Sequence, residues 1–225
     1  MPNQYHWNFD VIWEYREVFL RGIVMTLELA AVTIVLGMVL GFLLALLRGS
    51  RIRALTLPVG AFIELVRAVP PLVLIVWMYY CLPILTGLAL SAFQTAVVAL
   101  ALYSAAFFAE IFRAGLQSIE IGHIEAAYSV GMTRMQAMRR IIGPLAFQRV
   151  FPPLVSQCVL VVKNTSLAGY IAVAETLYQG QQISIQTFRP LEVLTVVALL
   201  FIVIIVPLTV IARVFEAAYQ RKYFR

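Results

Sequence analysis

Charged side chains are scarce in this sequence. Only 12% of the 225 residues are Asp, Glu, Lys or Arg, whereas 62% are hydrophobic and the mean hydropathy is +0.91. Soluble domains usually have about a quarter of their residues charged, so this composition excludes an ordinary soluble domain. The apolar residues do not alternate with the period of a barrel strand. We therefore predict an all-α, polytopic membrane protein.

Cysteine and histidine are also rare. Cys81 and Cys158 lie in or beside apolar runs, and their spacing matches no metal-binding or redox motif. The two histidines, His6 and His123, are far apart in the chain, with no cluster of potential ligands near either. The sequence therefore predicts neither a metal site nor a bound cofactor in this chain.

Lysine occurs twice, at Lys163 and Lys222, and neither residue follows a glycine. The Walker A motif needs Gly-Lys followed by Ser or Thr, because backbone N–H groups and the lysine hold the phosphates. The chain therefore cannot itself be an ATPase. It also has no H-E-x-x-H motif and no nucleophile elbow. We expect a protein that is not an enzyme.

Long apolar stretches make up most of the chain. Five of them are each near the ~20 residues that cross ~30 Å of hydrocarbon, and in lipid such stretches must be helices. The predicted membrane domain, residues 22–213, has spans at about 22–47, 57–85, 88–112, 150–173 and 191–212, with Pro70-Pro71 breaking the second.

The two ends of the chain are predicted to lie outside this domain. Residues 1–21 are amphipathic and aromatic, with Asp10 as a candidate helix cap, and they lack the pattern of a cleavable signal peptide. We expect the stretch 8–19 within them to form a helix on the membrane surface, or else to extend the first span. Residues 214–225 are expected to form a C-terminal tail.

Basic residues are divided unequally between the two sides of the predicted membrane domain. Thirteen of the seventeen Lys and Arg residues fall in or near the connections after spans one and three and in the C-terminal tail, and three fall on the other side. The positive-inside rule then predicts an outer N-terminus and a cytoplasmic C-terminus. This bias accounts for most of the net charge of +6, so we do not expect nucleic acid as a partner.

The connection 113–149 is too polar to span a bilayer. It contains Glu125-Ala126-Ala127, three residues, Gly131, nine residues, Ile141, one residue and Gly143-Pro144. We predict a short helix at 119–130 that ends in a left-handed bend at Gly131. Thr133 and Gln136 match a capping box for a second short helix, and Pro144 is expected to close the unit.

This spacing resembles the EAA loop of ABC-importer permeases, E-A-A-x3-G-x9-I-x-L-P, except that Gly143 stands where that family usually has leucine. The resemblance implies a cytoplasmic coupling helix that sits in a groove of a partner ATPase. An ordinary amphipathic connector is the alternative. The implied coupling residues are Glu125, Ala126, Ala127, Gly131 and Pro144.

Three further motifs resemble those of polar amino-acid permeases. Glu64 and Arg67 match an E-x-x-R-G-T-P segment in part and lie three residues apart, so they share a helix face and can pair. Glu110 and Arg113 match A-E-x-x-R-x-G, and we expect them to form an ion pair at the cytoplasmic end of span three. The third motif, K-N-T-S-L, is matched by Lys163, Asn164, Thr165, Ser166 and Leu167.

Lys163 is unusual because a lysine well inside a span is costly and by default marks a pathway or a buried partner. One hypothesis places it at the translocation path or an outer gate, together with Asn164, Thr165, Ser166, Glu64 and Arg67. The other is that Lys163 pairs with a carboxylate such as Glu28 and only joins two helices.

The resemblance implies a permease subunit of a polar amino-acid ABC importer in the bacterial inner membrane. The implied partners are a second permease subunit, identical or related, two ATPase subunits that bind ATP and Mg, and a periplasmic binding protein. The substrate remains open among cationic, acidic and amide amino acids and opines. A channel or ion-driven carrier is the alternative, although such carriers usually show internal repeats and none is visible here.

Overall fold

The computed structural model describes residues 5–50 and 52–223. All regular elements within these ranges are helical, and the all-α class is confirmed. The α-helices are α1 (Asp10–Glu14), α2 (Arg16–Arg48), α3 (Arg53–Ala68), α4 (Pro71–Tyr80), α5 (Leu82–Thr86), α6 (Ala92–Gln117), α7 (Ile121–Ser129), α8 (Arg134–Ala137), α9 (Gly143–Asn164), α10 (Thr176–Thr187) and α11 (Pro190–Tyr223). A π-helical turn, Met138–Ile142, precedes α9, and a 3₁₀ helix, Thr165–Ile171, follows it.

Four helical runs in the described ranges are long and apolar enough to cross a membrane: α2, α6, Arg134–Ile171 and Pro190–Ile211. A fifth crossing is counted only if α3 and α4 are taken together, and they are bent by 101° at their junction. The polytopic membrane class is therefore confirmed, whereas the number of five spans remains a prediction.

The expected second span, residues 57–85, is not one helix. The predicted break at Pro70-Pro71 is present, but it is a sharp bend rather than a kink. Val69 has φ −89° and ψ 131°, which is the extended conformation that a following proline imposes. Pro71 then fits the start of α4, where a missing N–H is tolerated.

Within the described residues, the N-terminal segment is helical from Asp10 onward, with Tyr15 between α1 and α2. Asp10 is the first residue of α1 rather than its cap. The side-chain oxygen of Asn8 accepts the Asp10 N–H at 2.9 Å. The placement of this segment on the membrane surface remains a prediction.

The chain divides into two compact units, which we describe separately. The first comprises the described parts of residues 1–33, 70–100 and 161–206. Its core contains Phe19 of α2, Ile183 of α10 and Val197 of α11. Gly180 permits close packing of α10 on α11, because a Cβ there would lie 2.3 Å from Cγ2 of Val197.

The second unit comprises the described parts of residues 34–69, 101–160 and 207–225. Small residues bring its helices together, as is usual in membranes. Ala45, Ile63 and Ala106 are buried in one cluster that joins α2, α3 and α6. Gly41 lies so close to α6 that a Cβ would be 2.6 Å from Cβ of Phe108.

The connection between α6 and α9 follows the sequence prediction up to Thr133. Helix α7 matches the predicted short helix, and Gly131 has φ +78°. The capping box is confirmed: Gln136 N–H donates to Thr133 Oγ1 at 3.3 Å, and Thr133 N–H donates to Gln136 Oε1 at 2.9 Å.

Pro144 does not close this connection, so that prediction is wrong. The chain stays helical through the π turn, where the Gly143 N–H bonds to the Met138 carbonyl, and Pro144 is the second residue of α9. The first turn of a helix tolerates proline because its N–H would lack an intrahelical partner there. The helix therefore continues from the π turn through Pro144 into α9.

Candidate functional site

We call residues 119–144 the coupling segment. Within it, one residue of the predicted EAA triplet is buried and the other two are exposed. Ala127 is buried, and it packs with Ile119, Ala137 and Ile142. Glu125 and Ala126 are exposed. The buried alanine therefore fixes α7 against the rest of the segment, while its two neighbours face outward.

The outward face of the coupling segment also carries large apolar side chains. Ile121, Val130 and Met135 are each more than 70% exposed. Gly131 lies among them, and a Cβ at its position would meet no atom within 4 Å. Exposed apolar groups in such a cluster are typical of a surface that contacts another molecule.

Charged residues at the ends of α2, α3 and α6 form a network within the second unit. The expected pair is present, with Arg113 Nη2 2.6 Å from Glu110 Oε2. Arg48, the last residue of α2, donates to Glu110 and also approaches Glu64 at 3.4 Å. Three helix ends are therefore held together by Arg48.

The predicted pairing of Glu64 with Arg67 is wrong. Glu64 is bound by Arg48, and the Arg67 guanidinium lies over the Phe107 ring at 5.2 Å from its centroid. A spacing of three residues permits a pair on one helix, but contacts with α2 and α6 determine these side chains instead. Arg67 lines a cavity of the second unit that does not include Glu64.

A cavity of about 570 Å³ lies in the first unit, between the end of α9, the 3₁₀ helix and the helices α10 and α11. Lys163 and Ser166 supply its cationic and hydroxyl groups, and the remaining lining is apolar, including Leu177, Val197 and Phe201. Lys163 is exposed, so the cavity is open to the surface of this chain and its ammonium is accessible to an anion.

The four polar residues that begin at Lys163 have different surroundings. Thr165 is fully buried and donates to the Val162 carbonyl at 2.7 Å, which is a structural contact. Asn164 is half-buried at the end of α9 and does not line the cavity. Ser166 lines it, with its hydroxyl donating to the Lys163 carbonyl at 2.8 Å. Lys163 and Ser166 are therefore the pair that the fold brings to one place.

The alternative role of Lys163, as a partner of Glu28, is not supported. Both residues belong to the described part of the chain, and no ion pair joins them. Glu28 is exposed on α2.

Sequence reasoning missed two buried carboxylates of the first unit. Glu175 is fully buried and caps α10 by accepting the N–H groups of Leu177 at 2.8 Å and Tyr178 at 2.7 Å. Burial raises the pKa of its carboxyl to about 7, against the lowering effect of these hydrogen bonds. The sequence feature that could have indicated this role is a side chain with acceptor oxygens directly before a polar helix, as at an N-cap.

Glu192 is the second missed carboxylate, and it joins the N-terminal segment to the start of α11. It accepts the Tyr5 hydroxyl and, at 2.9 Å, the Asn8 N–H, and it pairs with Arg189 at 3.3 Å. These partners are more than 180 residues away for Tyr5 and Asn8, so the sequence holds no local sign of them.

An all-helical membrane architecture, a coupling segment with exposed Glu125 and Ala126, and a cavity with a lysine together define a class: the transport subunit of a membrane importer. The model of the family "Binding-protein-dependent transport system inner membrane component" matches residues 37–223, and the chain belongs to this family. It is therefore an inner-membrane permease subunit of an ABC transporter and, as expected, not an enzyme.

Relatives of known name agree with this assignment. The probable glutamine ABC transporter permease protein GlnM of Bacillus subtilis is 34% identical over 96% of this chain and 100% of its own length. The octopine transport system permease protein OccM of Rhizobium meliloti is 41% identical over 81% of this chain and 78% of its own. The crystal structure of an amino acid ABC transporter matches with a TM-score of 0.89 and 31% identity, over 95% of this chain and 100% of that one.

Proposed function

We propose that this permease subunit moves a polar amino acid across the inner membrane and that partner subunits supply the energy by hydrolysing ATP. Relatives named for glutamine and octopine, together with a similar chain from an amino acid transporter, support this substrate class. The observation that carries the proposal is the cavity that contains Lys163 and Ser166. Its one cationic group offers a place for the carboxylate that all amino acids share.

The lining of this cavity also suggests how a substrate would be held. The Lys163 ammonium would pair with the carboxylate, and the Ser166 hydroxyl, which donates its proton to the Lys163 carbonyl, would accept from the amino group. The apolar wall from α10 and α11 would contact the aliphatic part of the substrate. In this role the two residues contact the substrate on its path, and Asn164 and Thr165 hold the local backbone.

The coupling segment supports an ATPase partner. Glu125 offers a carboxylate to basic or N–H groups, and Ala126 lets another surface approach closely. Ile121, Val130 and Met135 would be covered by the same partner. We propose that two ATPase subunits contact two permease subunits in this way, that a binding protein delivers substrate from outside, and that the N-terminus lies on that outer side.

The proposal is tested by reconstituting the complete transporter in liposomes and measuring uptake of labelled amino acids. Lys163→Met is expected to reduce uptake by about 100-fold or more, because loss of a charged contact costs about 3 kcal/mol, while assembly with the ATPase is unchanged. Lys163→Arg keeps the charge and should retain more uptake. Normal uptake by Lys163→Met would refute the role of the cavity.

The same preparation separates the competing functions. Glutamine, arginine, glutamate and octopine are supplied one at a time with the purified binding protein. Uptake that requires ATP supports the importer, whereas uptake without the ATPase subunits would favour a channel or an ion-driven carrier. Preference for octopine over the three amino acids would assign the chain to opine import instead.

A further inference from the structure

A second cavity, of about 450 Å³, lies in the second unit between α3, α6 and α9. It is separate from the cavity of Lys163, and neither the family assignment nor the proposed transport path gives it a role. Its lining includes Arg67 of α3, Phe107, Glu110 and Gly115 of α6, and Arg149 and Pro153 of α9.

The cavity carries more positive than negative charge. Its one carboxylate, Glu110, is already bound by Arg113 and Arg48. In the described part of the chain neither Arg67 nor Arg149 forms an ion pair. Arg149 uses one nitrogen to donate to the Ser118 carbonyl. Because a guanidinium has five N–H donors, both arginines keep donors for a further acceptor.

The neighbouring residues indicate the level of this positive charge along the helices. Arg48 ends α2 and contacts Glu64 and Glu110, so the cavity is at the level of the helix ends. Both Arg67 and Arg149 are exposed, so the cavity is accessible from the surface of this chain. With the orientation proposed above, these helix ends meet the cytoplasmic surface of the membrane.

The walls suit a ligand with an apolar part next to its charge. Phe107, Ile111 and Ala114 of α6 and Pro153 of α9 line the cavity beside the arginines. At its edge α6 touches α9 closely, because a Cβ on Gly115 would lie 2.0 Å from Cγ2 of Val150. This contact closes the space between the two helices at that edge of the cavity.

We propose that this cavity binds the phosphate group of an anionic membrane lipid. Guanidinium groups bind phosphate through paired hydrogen bonds, and basic pockets between membrane helices on the cytoplasmic side hold anionic headgroups. The apolar walls accept the glycerol backbone and the first methylenes of the acyl chains. A zwitterionic lipid fits less well, because its cation would meet the two arginines.

Lipid binding is measured by native mass spectrometry of the complete transporter, purified in detergent and titrated with phosphatidylglycerol or phosphatidylcholine. The wild-type transporter should retain phosphatidylglycerol in preference. The double variant Arg67→Gln/Arg149→Gln should bind it about 30-fold more weakly, since two basic contacts are lost. The matched control, Arg16→Gln/Arg21→Gln, removes two exposed arginines outside both the cavity and the coupling segment and should bind like the wild type.

Three results would overturn the proposal. These are equal retention of the two lipids by the wild type, retention of phosphatidylglycerol by the cavity variant, and displacement of the lipid by millimolar inorganic phosphate, which would mark a site for a soluble anion. If the double variant does not assemble, Arg67→Lys/Arg149→Lys provides the test: it keeps the charge, loses the paired geometry and should bind several-fold more weakly. This readout needs no transport, so a failure of the proposed amino-acid import would be recognised separately.

Discussion

The side-chain oxygens of Thr26 and Thr176 lie 2.8 Å apart, although 150 residues separate them in the sequence. Thr26 also accepts the Thr176 N–H at 3.1 Å, and both threonines are fully buried. Gly22, one turn earlier in α2, makes the approach possible, because a Cβ there would lie 3.0 Å from Cα of Thr176. The start of α10 is therefore hydrogen-bonded to α2 and packs closely against it.

We predict that Thr26→Val destabilises the protein, whereas Thr26→Ser does not. Valine keeps the shape of threonine but leaves the buried Thr176 N–H without its acceptor and the Thr176 hydroxyl without its partner, at a cost of about 1–3 kcal/mol. Thermal unfolding of the purified transporter should show a lower midpoint for the valine variant only. Equal midpoints for the two variants would mean that the hydrogen bonds contribute little and that the packing alone holds α10.

The bend at Gly131 provides the second prediction. Its φ of +78° is strained for a β-branched residue, and because no atom lies near the missing Cβ, a side chain there acts through the backbone alone. Gly131→Val should weaken substrate-stimulated ATP hydrolysis, while Gly131→Asn, which tolerates this conformation, should preserve it. If both variants hydrolyse ATP like the wild type, the bend is not needed for coupling.

Charge reversal on the coupling segment is the third prediction. Glu125→Lys should release the ATPase or uncouple it from transport, because Glu125 faces outward from the segment. Glu120→Lys reverses an exposed charge just before α7 and is the control. Co-purification of the ATPase and substrate-stimulated hydrolysis are measured together. Identical behaviour of the two variants would remove the specific role of Glu125.

The fourth prediction concerns orientation. Single cysteines are placed at Ser50, Gln136 and Gln181 after Cys81 and Cys158 are replaced, and intact cells are treated with an impermeant thiol reagent. Only the cysteine at position 181 should react, because the positive-inside rule puts the other two in the cytoplasm. Reaction at position 136 but not at 181 would reverse the orientation, and the coupling argument would then fail.

The fifth prediction is a pH dependence from Glu175. Burial raises the pKa of this carboxyl from 4.5 to about 7, so the folded state binds the proton more tightly than the unfolded state. The stabilisation from this protonation is complete below pH 4.5 and is lost as the pH rises to about 7. Glu175→Gln should reduce the change of the thermal midpoint with pH between pH 5 and 8. The control Glu120→Gln should leave this pH dependence as it is in the wild type. The same slope in Glu175→Gln would assign the pH dependence to other groups.

Local features of the chain could be predicted from its sequence. The left-handed Gly131 depends on the residue type alone, and the capping box of Thr133 and the pair of Glu110 with Arg113 each depend on residues three positions apart. These follow from backbone geometry and short-range hydrogen bonds, which the sequence displays directly.

Features that depend on distant parts of the chain could not be predicted. Glu64 pairs with Arg48, 16 positions earlier in the chain, and not with its near neighbour Arg67. Similarly, within the described residues Glu28 forms no ion pair with Lys163. Glu175 is buried by helices that the sequence does not place beside it. Pro144 is a different case. Proline usually ends a helix, but here a π turn precedes it and the chain stays helical.

The π turn at Met138–Ile142 has a geometric consequence for the movement of the coupling segment. A π turn holds one residue more than an α turn, so its relaxation to α geometry would change the helical phase by about 100° and the length by about 1.5 Å. Such a change would rotate α8 about its own axis relative to α9. A single turn of backbone would thus act as a joint between α8 and α9.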